Sequence, residues 1–321
     1  MQSYIENFNY TYQLLPIKEI NENEIIFYTD ELPEEFYSNK IREYIIFQLN
    51  KPFPNNKKIL NFLYSDNYTH NEFDILKTFG KENLYIEFAN LLEPKDKREK
   101  LHKVKNIKNF ISAFGYIYKF DYNELIKNET IYRPLDEIET EIKILNAVIN
   151  MQYILNSGIE VGKEIKPIKY FELILNEYPK LKLLSLYNYN FTKNIVIKDT
   201  TALKEITNII TACISYIVNL KIKNCNINIF FDKFTPKCVF NCSSLLEVMY
   251  IQFLLDTTKS NLTYGICEYC GKYVLLDKKD LNKKHIYCKI TREEKDAFNW
   301  DRSPCASRAA TSRYRKNKSK K

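Results

Sequence analysis

Apolar residues recur at threes and fours through residues 35–49, 72–92, 105–118, 135–155 and 201–220, which predicts five amphipathic helices. The clearest stripe is Ile138, Ile142, Leu145, Val148 and Ile149, the core face of the fourth. Strand-like runs are fewer. Residues 10–15 and 24–28 lean towards β structure, and residues 227–231 and 238–240 predict two strands around a turn at Thr235-Pro236. Ser244, followed three residues later by Glu247, has the form of a capping box and opens a helix over residues 245–258. Residues 273–276 read as a strand. Ser303-Pro304 reads as the start of a last helix, to about residue 316, with Ser as N-cap and Pro at the first helical position. The fold class expected is α+β: a predominantly α-helical body over residues 1–260, then a small zinc-ribbon-like module over residues 261–321.

With 321 residues at 45% hydrophobic, the chain can bury one large or two ordinary domains beside such a module. Six Gly and ten Pro, with no Pro/Gly/Ser-rich stretch, predict a body without an internal linker. Residues 1–6 lack the basic start and apolar core of a signal peptide. The most apolar long stretch, residues 206–220, is interrupted by Asn208, Thr211, Ser215 and Asn219 and suits a core helix better than a membrane span. A cytoplasmic protein with no membrane contact is the expectation. In a reducing compartment a Cys-x-x-Cys pair favours metal or redox chemistry over a structural disulfide.

Half of the eight cysteines lie in the last 55 residues, as Cys267, Cys270, Cys288 and Cys305. A two-residue gap lets one tight turn supply two thiolates, and Gly271 directly afterwards has the φ freedom such a turn often needs. Seventeen residues separate Cys270 from Cys288 and sixteen separate Cys288 from Cys305, so the second half of the site straddles a loop. The expected cofactor is structural Zn²⁺ held by these four thiolates, with His285 as a substitute ligand. Without a metal they read as buried or free thiols. Cys213, Cys225, Cys238 and Cys242 read as small buried hydrophobes rather than a second site.

Charge distribution adds a partner. The chain holds 48 Lys and Arg against 40 Asp and Glu; residues 267–321 hold 16 against 7, leaving 32 against 33 for the rest. The excess positive charge is therefore confined to one end, which points to a polyanion, DNA or RNA. From Arg308 onwards there are seven basic residues and no acidic one. On a helix, Arg308, Thr311, Ser312 and Arg315 fall near one face able to reach phosphates, and Ala306, Ala309 and Ala310 allow close approach. The nucleic-acid contacts expected are Arg308, Arg313, Arg315, Lys316 and Lys318. A solvated basic tail that only aids solubility is the competing reading.

Cys267-x-x-Cys270, Tyr287-Cys288 and Cys305-Ala306-Ser307-Arg308, followed by Tyr314-Arg315, resemble the CGNR zinc-finger pattern of bacterial proteins. The Cys and Arg of that tetrad match Cys305 and Arg308, while Ala306 and Ser307 replace its Gly and Asn and the loop before Cys305 is longer. Residues from about 243 onwards also look similar to bacterial proteins of unknown function whose helical body ends in a Cys-x-x-Cys-Gly-Lys-Tyr ribbon. The resemblance implies a bacterial, cytoplasmic transcription regulator with Cys267, Cys270, Cys288 and Cys305 on zinc and Arg308 as the tetrad arginine. It implies nothing for residues 1–242.

Catalytic motifs are not evident. His70, His102 and His285 stand without a triad context. Residues 158–163 echo a P-loop but are one residue short, with Glu164 where Ser or Thr should hold Mg²⁺, and read as a turn. Asp136, Glu137, Glu139 and Glu141 read as a solvated helix start. A zinc deaminase needs Pro before its Cys-x-x-Cys, where Ile266 stands here. The expected function is a zinc-containing nucleic-acid-binding protein; the alternative is a protein-docking or ligand-sensing protein whose ribbon is purely structural.

Overall fold

Four of the five apolar stripes carry helices in the computed structural model, which describes residues 5–10, 17–20, 24–28, 83–93, 103–114, 117–118, 130–185, 189–232, 235–280, 283, 285–288 and 303–318. In chain order the elements are β1 (Ile5–Tyr10), β2 (Ile17–Ile20), β3 (Glu24–Tyr28), α1 (Leu84–Ala89), α2 (Lys103–Phe114), β4 (Thr130–Pro134), α3 (Leu135–Asn156), β5 (Glu164–Ile165), α4 (Phe171–Glu177), α5 (Lys180–Ser185), β6 (Ile195–Val196), α6 (Thr200–Lys221), β7 (Asn226–Asp232), β8 (Thr235–Cys242), α7 (Leu245–Thr258), β9 (Leu262–Ile266), β10 (Tyr273–Asp277) and α8 (Pro304–Lys318). Helices dominate and the strands form small sheets, an α+β arrangement. Among the described residues no helix is long and apolar enough to cross a membrane.

Two compact units arise, one from residues 1–84, 104–138 and 217–254, the other from residues 85–103, 139–216 and 255–321. The first contains two three-stranded sheets. In one, β8 pairs antiparallel with β7 and parallel with β1; in the other, β3 lies antiparallel between β2 and β4. The turn expected at Thr235-Pro236 is displaced: Thr235 pairs with Asp232, so Pro236 lies inside β8. The first β1 partner on β8 is Cys238, so the missing proline N–H removes no bond from that ladder. α7 is apolar nearly all round and buries Leu245, Leu246, Val248, Met249, Tyr250, Ile251 and Phe253, as a core helix must. Ser244 Oγ accepts the Glu247 N–H at 3.2 Å, half of the expected box. The other half is shifted by one residue, because the Glu247 carboxylate takes the backbone N–H and hydroxyl of Ser243.

In the second unit α3 presents the anticipated stripe, with Ile142, Leu145, Val148 and Ile149 fully buried. α6 opens on Asp199, whose Oδ1 accepts the N–H groups of Thr201 and Ala202 at 2.9 and 2.8 Å. The helix start on α3 is only partly solvated: Asp136 and Glu137 are exposed, Glu139 pairs with Lys103, and Glu141 is buried. Within residues 158–163, expected as a turn, the chain turns over 160–163, closed by Lys163 N–H to Glu160 O at 3.1 Å, with Gly158 and Gly162 at φ +78° and +84°. The helix expected at 72–92 ends at Ala89. Its first eleven residues, and all of 11–15 and 35–49, lie outside the described residues.

Candidate metal centre

β9 and β10 pair antiparallel, with Ile266 opposite Tyr273, and the turn between them carries Cys267 and Cys270. Two backbone bonds close it, Cys267 N–H to Lys272 O at 2.8 Å and Gly271 N–H to Cys267 O at 2.9 Å. Gly271 at φ +78° supplies the left-handed residue this closure needs. The Cys288 segment docks alongside through Glu268 N–H to Ile286 O at 2.9 Å. A Cβ at Gly265 would lie 2.6 Å from Leu276 Cδ1 and 3.3 Å from Ile286, so the missing side chain is what lets Ile286 close over the hairpin. Cys305 arrives on α8. Ser303 caps that helix, its Oγ accepting the Ala306 N–H at 3.2 Å, and Cys305 follows Pro304 in the first turn.

The Sγ atoms of Cys267, Cys270, Cys288 and Cys305 all lie within 4.8 Å of one another, and Cys270 and Cys288 are 3.5 Å apart. All four predicted ligands thus converge, and this is the group among the described residues able to hold a metal ion. A tetrahedron with metal–sulfur bonds of about 2.3 Å has sulfur–sulfur edges of roughly 3.8 Å, so the set closes on an ion with small adjustments. Protonation argues the same way. Hydrogen bonds from the Cys270 and Cys288 thiols lower the pKa of Cys267 below the usual thiol range. Donation to Cys267 and Cys270 pushes Cys288 far up, and burial, followed by the neighbouring Cys270 and Cys267, pushes Cys305 up to about 12. Clustered thiols oppose one another's ionisation, and a cation among them reverses that by favouring the thiolates.

His285 is not in the group. Its Nδ1 faces Glu268 Oε2 and its Nε2 faces Arg313 Nη1, each at 2.8 Å, which assigns a neutral ring donating to the carboxylate and accepting from the guanidinium. Arg313 Nη2 also donates to the Tyr287 hydroxyl at 2.8 Å. Arg313 therefore fastens α8 to the Cys288 segment two helical turns beyond Cys305. Of the other expected contacts, Arg308 is exposed on α8, and by helical spacing Arg315 and Lys318 share its face with Thr311. Ser312 is half-buried, and Lys316 falls on the face of Cys305 and Ala309.

Several supports carried no local sequence signal. Asn90, buried just beyond α1, donates Nδ2–H to Tyr273 O and accepts Tyr273 N–H at Oδ1, both at 3.0 Å, acting as a strand edge for β10. The Tyr273 side chain bonds Asn150 of α3. Behind β9, the Tyr264 hydroxyl meets Tyr85 at 3.0 Å, and Tyr85 donates to Asp256 at 3.2 Å, whose other oxygen pairs with Lys259 at 2.7 Å. Burial raises both phenols well above their ordinary range and keeps them as donors. His285 was legible three residues before Cys288, but as a substitute ligand rather than as the link between Glu268 and Arg313. His70 and His102 lie outside the described residues.

Comparison of the chain with protein-family models, curated proteins and solved structures found no match.

Proposed function

We propose that the chain is a zinc-containing nucleic-acid-binding protein, a bacterial cytoplasmic transcription regulator of the CGNR-like kind, in which Zn²⁺ on Cys267, Cys270, Cys288 and Cys305 is structural. The placement of Cys305 in the first turn of α8 carries this reading, because the ion that closes the thiolate set also fixes a basic helix. Four thiolates suit Zn²⁺, a borderline-soft ion without geometric demands, and leave no open position for a reacting water. Arg308, Arg315 and Lys318, on one side of α8, would neutralise phosphates of DNA or RNA, each contact steepening the loss of affinity as salt rises.

One observation favours the second reading, a protein-docking or ligand-sensing protein: Arg313 is engaged with His285 and Tyr287, which shrinks the phosphate-facing set. Fluorescence anisotropy of zinc-loaded protein with mixed-sequence DNA and RNA over a salt series separates the two. Binding with a steep salt slope that Arg308→Gln with Arg315→Gln reduces supports the first. Failure of both proteins to bind, with zinc content unchanged, supports the second.

A further inference from the structure

Cys225 and Cys242 lie far from the zinc ligands in sequence and belong to the first compact unit. Asn226 of β7 pairs with Asn241 of β8, so Cys225 and Cys242 are the next residues across the same ladder, one step beyond its end pair. Their sulfurs are 3.7 Å apart. Cys242 is also held from the other side, paired with Tyr10 of β1, and Cys225 is pinned by its N–H to Ile222 O at 2.9 Å. The two thiols are therefore kept in register by backbone rather than by chance side-chain packing. Exposure divides them: Cys225 is half-buried and reachable, Cys242 buried. Cys213 is a contrast, alone on α6, buried, and pushed up by burial to about 11.

We propose that Cys225 and Cys242 are a reversible disulfide modification site, oxidised by small-molecule disulfides of the glutathione type. The Cys225 thiolate attacks one sulfur of oxidised glutathione, giving a mixed disulfide and releasing one glutathione thiolate, which takes up a proton. The Cys242 thiol then attacks the Cys225 sulfur, its proton passing to the second glutathione as that leaves. Two protein thiols and one oxidised glutathione become one protein disulfide and two reduced glutathiones. The order follows from access and from the hydrogen bond between the pair, which lowers the Cys225 pKa and raises that of Cys242. The product would staple the open end of the β7–β8 hairpin, where α6 enters and the Ser243–Glu247 cap of α7 begins.

Zinc-loaded full-length protein is equilibrated in oxidised and reduced glutathione, quenched with acid, alkylated and digested with trypsin. Cleavage after Lys223, Lys233, Lys237 and Lys259 puts Cys225 and Cys242 on different peptides, with Cys238 beside Cys242. The expected result is a linked pair of peptides 224–233 and 238–259 that dithiothreitol separates. It persists in Cys238→Ser and disappears in Cys242→Ser. Glutathione accumulating on Cys225 without the link, a link that survives Cys242→Ser, or two free thiols under excess oxidised glutathione would each overturn the proposal. If Cys242→Ser does not fold, fragmentation of the wild-type linked peptides locates the bonded cysteine and decides the matter alone.

Discussion

Asn90→Ala tests whether the thiol-bearing hairpin is held by its protein scaffold as well as by a metal. Asn90 is buried and makes two 3.0 Å bonds to the backbone of Tyr273, three residues beyond Cys270. Truncation leaves one buried N–H and one buried C=O without partners, each costing about 1–3 kcal/mol, so about 2–4 kcal/mol is expected when water partly compensates. Because the loss is local, hydrogen exchange of the β10 amides in metal-loaded protein is the assay of choice. At 1.4 kcal/mol per decade, that destabilisation accelerates exchange at residues 273–277 by roughly 30- to 700-fold. Amides of β8, in the other compact unit, keep their wild-type rates. Asn90→Asp should do no better, since it keeps the acceptor for the Tyr273 N–H but turns a carboxylate oxygen towards the Tyr273 carbonyl. Exchange within threefold of wild type in Asn90→Ala would falsify the assignment and leave the hairpin's order to the metal.

Three further outcomes follow from the site. Gly271→Ala forces a side chain into φ +78° with open space around it, so the cost of about 1–2 kcal/mol is backbone strain and appears as a weaker metal affinity in chelator competition. Metal binding releases protons, because Cys288 and Cys305 have raised pKa values and hold theirs near neutral pH while the bound set must be thiolate. Calorimetry in buffers of different ionisation enthalpy should give at least two protons per ion near pH 7.5, with affinity rising with pH; release of one or none contradicts the thiol assignments. Arg313→Gln should raise the exchange rates of α8 severalfold and leave the salt slope of any nucleic-acid binding unchanged, whereas a reduced slope means that Arg313 leaves His285 to grip phosphate.

The helices were legible wherever one side chain in three or four faced a core, as with Ile142, Leu145 and Val148 on α3. Periodicity says little about short elements. α4 and α5 have seven and six residues, and β5 and β6 two each, too few to show a period. β4 was missed because Arg133 and Pro134 break its alternation, and its place is set by pairing with β3. The turn between β7 and β8 was misplaced because Thr-Pro is a strong local turn signal, and the cross-strand register overrode it.

The metal centre divides the same way. Cys-x-x-Cys-Gly is readable because a turn confined to five residues fixes two sulfurs, and Ser303-Pro304 is readable because a helix start is equally local. What tail charge could not reveal is which cations are already spoken for. Arg313 looks in sequence like any other cation of the tail, yet it reaches a ring nitrogen 28 residues upstream. Cys305 and Arg313 bring α8 against the Cys288 segment at two points about two helical turns apart. A basic helix held at both points can present only one side, so the side turned away from Cys305 and Arg313, not the total positive charge, is the quantity that any polyanion would read.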